Sequence, residues 1–106
     1  MSLSTHVLDA ARGLPAPDLA VRLDRRDDAG AWHPLAAART DADGRIKDWP
    51  GAGPLPAGTY RLTFDTAGLS DFYPEVAVAF TVADPARHHH VPLLLSPFAY
   101  STYRGS

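Results

Sequence analysis

The sequence predicts an all-β domain, a sandwich of two antiparallel sheets with about eight short strands. Three observations carry that expectation. The residues that usually fill exposed helix faces are nearly missing, with one Lys, one Glu and no Gln among 106 residues. Ten prolines and eight glycines interrupt the chain too often for a long helix. Several segments alternate apolar and polar residues with a period of two, as a strand with one buried side does.

Leu3 to Asp9 turns Val7 toward a core while His6 and Leu8 share the opposite side. Ala20 to Arg26 sets Val21 and Leu23 against Arg22, Asp24 and Arg26, and it stops at the turn residues Asp27-Asp28-Ala29-Gly30. Asp41-Ala42-Asp43-Gly44 is a second turn; Gly44 supplies a positive φ there, and Arg45 leaves it at a fixed place. A calcium loop is excluded at this turn. With Gly44 as the loop's glycine, Arg39 and Pro50 fall on the first and last ligand positions, which need carboxylates.

Trp49 to Gly58, rich in Pro and Gly, reads as a surface loop inside the domain, because strand patterning resumes directly after it. Thr59 to Phe64 sets Tyr60, Leu62 and Phe64 against Thr59, Arg61 and Thr63. Glu75 to Val82 buries Val76, Val78, Phe80 and Val82, and Ala83-Asp84-Pro85 ends it. Arg87 to Leu95 directs Val91, Leu93 and Leu95 inward and His88, His90, Pro92 and Leu94 outward. Phe98 to Arg104 alternates Ala99, Ser101, Tyr103 and Gly105 with Phe98, Tyr100, Thr102 and Arg104. The outward sides of the first and last two segments mix His, Leu, Pro, Tyr and small residues. Such a mixture suits a wall covered by another subunit better than it suits water. No internal repeat is legible, and residues 1–106 read as one domain.

Charge and composition narrow the function. A formal charge of −2 provides no field for a phosphate backbone, which argues against nucleic acid as partner. Cysteine is absent, so disulfides, thiolate metal sites and cysteine nucleophiles are excluded together. No apolar stretch approaches the roughly 20 residues that span a bilayer, and the first ten residues lack a signal-peptide core, which points to the cytoplasm. There is no Gly-x-Ser-x-Gly elbow, and a single Glu leaves no glycosidase pair. A hydrolase built from these residues would activate water with imidazole and offset charge with Arg. Alternation sends His88 and His90 to one side and His89 to the other, so a zinc site would need a third ligand such as His6; the alternative is a polar strand start with exposed imidazoles. Taken alone, the ending Tyr103-Arg104-Gly105-Ser106 reads equally as a frayed terminus.

Four stretches together carry a family resemblance: HVLDAARGLPAPDLAVRL near the start, the DADGR turn, FYPEV at Phe72 to Val76, and HHHVPLLLSPFAYSTYRGS at the end. Over nearly its whole length the chain resembles the transthyretin-like family, and within it the branch that hydrolyses 5-hydroxyisourate. The marks of that branch are a His before VLD, an Arg in the DGR turn, a His before the VPLLLSP run, and a terminal YRGS. They fall on His6, Arg45, His90 and Tyr103-Arg104-Gly105-Ser106.

The resemblance implies a transthyretin-like sandwich that assembles as a homotetramer, a dimer of dimers with active sites in a central channel. It implies catalysis by His6, Arg45 and His90, with Tyr103, Arg104, Gly105 and Ser106 joining His6 and Arg45 in holding the small-molecule substrate. No metal or cofactor is implied. The alternative in the same family is a carrier that binds small aromatic ligands in the channel without turnover. Relatives carry a short helix before the FYPEV segment; here only Gly68-Leu69-Ser70-Asp71 separate Ala67 from Phe72, so the helix is expected to shrink to a turn or vanish.

Overall fold

Two sheets enclose the apolar side of nearly every alternating segment named above. The computed structural model describes residues 2–105, and among them the strands are β1 (Ser2–Asp9), β2 (Leu14–Pro15), β3 (Ala20–Arg26), β4 (Trp32–Arg39), β5 (Arg45–Ile46), β6 (Gly58–Asp65), β7 (Glu75–Val82), β8 (His88–Leu95) and β9 (Tyr100–Thr102). The first sheet runs β2-β1-β8-β9, with β5 also paired to β1; the second runs β4-β3-β6-β7. No helix forms among the described residues.

The core lies between the sheets. Val7, Leu93 and Leu95 come from one side and Val21, Leu23, Tyr60, Leu62, Phe64, Val76 and Val82 from the other, all essentially inaccessible to water. The period-two reading therefore assigns the inner sides of β1, β3, β6, β7 and β8 correctly, because each strand has one buried side and register keeps it there.

Three features differ from expectation. The first sheet is not wholly antiparallel, since β1 and β8 run parallel over Ser2↔His88 through Asp9↔Leu95. The chain between them builds the entire second sheet, so no hairpin constrains their direction. Nine strands form among the described residues instead of about eight, because the two-residue strands β2 and β5 share the outer edge of β1. Finally, β4 was not legible as a strand. It carries Pro34, which an edge strand tolerates, and the register skips Leu35 between Leu23↔Ala36 and Asp24↔Pro34, a bulge that breaks the alternation.

The segment before FYPEV is a single turn, as its length requires. Leu69 and Ser70 N–H both donate to Thr66 O at 3.0 Å, and the buried Thr66 hydroxyl donates to Tyr73 O at 2.6 Å.

Candidate active site

Register brings four separate stretches of chain onto the outer side of the first sheet. Along β1 this side carries Ser4, His6 and Leu8, and the parallel pairing sets them beside His90, Pro92 and Leu94 of β8. On the far edge of β1, His6 pairs with Arg45 of β5. On the far edge of β8, Leu94 pairs with Ser101, and the same register carries on to a bridge between His90 and Gly105. His6, Arg45, His90 and Gly105 thus become neighbours although they are scattered through the sequence.

The turn before Arg45 is tightly specified. Asp41 Oδ1 accepts from the Asp43 and Arg45 N–H groups at 2.9 and 3.0 Å. The bond from Arg45, then that from Asp43, with the nearby Lys47 and Arg45 charges, holds the Asp41 carboxyl below its ordinary range despite some desolvation. Gly44 has φ of 76°, and a Cβ there would sit 2.5 Å from Val7 O and 3.1 Å from Ala16 N. Only glycine serves both the turn and the close approach to β1.

His6 Nε2 lies 2.9 Å from Asp43 O. A carbonyl only accepts, so the proton of neutral His6 sits on Nε2 and its Nδ1 is the free base. His90 Nδ1 lies 2.7 Å from Ser4 Oγ, and its Nε2 has no hydrogen-bond partner among the described residues. Burial, then the charges of Arg45, His88 and His6, push the His90 pKa down, against a smaller upward pull from Ser4. His90 is accordingly a neutral imidazole at neutral pH, with one nitrogen anchored and the other open. The Arg45 side chain makes no hydrogen bond or ion pair among the described residues.

Gly105 completes the setting. Its N–H donates to His90 O at 2.8 Å. A Cβ on Gly105 would overlap His90 Cδ2 and lie 3.0 Å from Cγ, so the ring stands between Ser4 on one side and a bare Cα on the other. Two hollows meet at His90. One, of about 370 Å³, is polar and lined by Ser4, Thr5, Arg45, Lys47, His88 and His90. The other, of about 330 Å³ and more apolar, is lined among others by Phe80, Val91, Tyr103 and Arg104 as well as His90. Tyr103 is 59% exposed, and Arg104 is exposed too. Ser106 lies outside the described residues.

Ser4 and Lys47 line the polar hollow without having been singled out, and His88, considered only as a zinc ligand, lines it too. Stepping back by two from His6 would have found Ser4, and His88 was already on the side of His90. Lys47, two residues beyond Arg45, needed the short strand β5 to be recognised. Among the described residues no three His, Asp or Glu side chains converge as a metal site would require.

Comparison with known proteins gives three findings. Residues 3–105 match the model of the HIUase/Transthyretin family. The chain is 46% identical over 111 residues to the 5-hydroxyisourate hydrolase of Salmonella dublin, covering 98% of this chain and 80% of that one. Among solved structures it resembles Klebsiella pneumoniae 5-hydroxyisourate hydrolase (TM-score 0.83, 39% identity, all of both chains) and sea bream transthyretin in complex with thyroxine (TM-score 0.86, 36% identity, 97% of this chain and 93% of that one).

Proposed function

The chain belongs to the HIUase/Transthyretin family, and from that premise we propose that it hydrolyses the lactam ring of 5-hydroxyisourate to 2-oxo-4-hydroxy-4-carboxy-5-ureidoimidazoline, a step of urate breakdown. Backbone likeness does not decide between enzyme and carrier, because a hydrolase and a thyroxine-bound transthyretin fit about equally well. The side chains of the site support the enzymatic reading. The observation that carries the reading is the Arg45 guanidinium, unpaired among the described residues, sharing a polar hollow with His90, whose pKa is lowered and whose Nε2 meets no partner among them. The 46% identity to a named 5-hydroxyisourate hydrolase over 98% of this chain supports it.

In this reading His90 Nε2 takes a proton from the attacking water, and the free Nδ1 of His6 orients that water. Arg45 offers a planar fork to the purine-like ring and offsets charge that develops on the carbonyl oxygen. Tyr103 and Ser106 supply hydroxyls to the substrate, Arg104 anchors the terminus, and Gly105 leaves room for the His90 ring. No metal or organic cofactor enters the scheme. The working form is a cytoplasmic homotetramer, a dimer of dimers in which the outer sides of the first sheets face one another across a channel.

A carrier of small aromatic ligands is the second reading, favoured by the apolar hollow beside Tyr103 and by the likeness to thyroxine-bound transthyretin. Turnover separates the two. His6→Ala, Arg45→Ala and His90→Ala are each expected to fold and to lose roughly 10²-fold or more in kcat against freshly generated 5-hydroxyisourate. Normal turnover in Arg45→Ala would remove that residue from the scheme.

A further inference from the structure

An unbroken line of hydrogen-bonding contacts leads away from His90. Its Nδ1 lies 2.7 Å from Ser4 Oγ. Ser4 Oγ lies 2.8 Å from His88 Nε2, and His88 Nδ1 lies 2.6 Å from Ser2 Oγ. The parallel register of β1 on β8 creates this alternation, setting Ser2 beside His88 and Ser4 beside His90. Ser4 and His90 are half-buried, whereas Ser2 and His88 are exposed. Every member both donates and accepts a proton.

We propose that Ser4, His88 and Ser2 form a proton relay that carries protons between His90 and solvent while substrate fills the polar hollow. The proposal rests on the hydrolytic reading above. Opening a lactam with water forms a C–O bond and breaks a C–N bond. His90 Nε2 takes one proton of the attacking water, and this is the proton that leaves for solvent. The other, on the newly added hydroxyl, moves to the departing nitrogen as the C–N bond breaks, so the product forms as a carboxylate. When His90 Nε2 takes up a proton, its Nδ1–H passes to Ser4 Oγ, the Ser4 hydroxyl proton to His88 Nε2, the His88 Nδ1–H to Ser2 Oγ, and the Ser2 proton to water. Each proton shifts by one link, and one positive charge leaves the site. Rotation of the two hydroxyls and exchange of the imidazole tautomers restore the starting direction.

The surroundings favour expulsion of charge from His90. It is faced by His6 from β1, by Arg45 and Lys47 from β5 and its continuation, by His88 on its own strand, and by Tyr103 and Arg104 from the chain end. Among the described residues no Asp or Glu lines either hollow, so none of those side chains holds a proton on the imidazole. His88 and Ser4 are positioning residues here; neither has to touch the reacting atoms.

His88→Gln tests the relay, because a carboxamide can bond to both serines yet cannot take up and pass on a proton. At low buffer concentration kcat is expected to fall roughly two- to tenfold with KM unchanged, and added imidazole buffer should restore it. Ser4→Ala, which cuts the line at its first link, should also lower kcat and leave KM alone. A His88→Gln protein as fast as the parent at low buffer would overturn the relay, as would a slow one indifferent to buffer. If the parent itself does not turn over, the hydrolytic reading falls and takes the relay with it. An active parent with an indifferent His88→Gln overturns the relay alone.

Discussion

His90 is the residue on which the site's charge state turns. Burial first, and the Arg45 guanidinium second, hold its pKa down, so the neutral base persists to lower pH than an ordinary histidine of about 6.5 would allow. The acidic limb of the rate profile should therefore have its midpoint below that value, with activity lost as pH falls through it. Replacing Arg45 with Met removes a cation and should move the His90 titration upward; NMR titration of the imidazole in Arg45→Met and in the parent checks the direction. The neighbouring glycine makes a second, purely steric prediction. Gly105 is not among the positive-φ glycines, so alanine there meets no backbone strain, only the His90 ring. Gly105→Ala is expected to leave the circular dichroism spectrum intact and lower kcat by roughly 10²-fold, the scale of a small misplacement at the reacting centre. Unchanged kcat would mean that the ring position is immaterial.

Among the elements, the strands with one plainly buried side were legible from the sequence and the irregular ones were not. β3 and β7 keep the predicted bounds, because Val21 and Leu23, and Val76 through Val82, alternate without exception. β4 escaped because Pro34 and the skipped Leu35 interrupt its period, and β5 because two residues are too few to show one. The turn at Asp41–Gly44 is visible from its residue types, but its contact with β1, in which Val7 N–H donates to Gly44 O at 2.7 Å, is a long-range fact that no local pattern encodes. The site followed the same rule. His6 and His90 stood out on mixed outer sides, whereas Ser4 emerged only once the parallel pairing of β1 and β8 placed it against His90. Two predictions belong to this scale. Thr66→Val in the turn that replaces the family helix leaves Tyr73 O without its buried donor and should cost about 1–3 kcal/mol in urea unfolding with kcat unchanged. Deleting residues 103–106 removes the bridge to His90 and should leave a folded protein that has lost most activity.

On the scale of the whole molecule, the distribution of aromatic surface bears on assembly. Phe98 is 77% exposed, Phe72 62%, Tyr103 59% and Tyr100 42%, and Phe72, Tyr73, Phe98 and Tyr100 are linked edge to face near the start of β9. A patch of this kind on so small a chain suits an interface between subunits. Sedimentation at micromolar concentration should report about four subunits, and a clean monomer would contradict the shared channel. Catalysis is the larger claim, since likeness of fold extends equally to a ligand carrier. Ring opening of freshly generated 5-hydroxyisourate, followed with and without the protein, tests it most directly. The account predicts strong acceleration by the parent chain, reduced roughly 10²-fold or more in Arg45→Ala. Tight binding of the compound with no acceleration of its decay would contradict it.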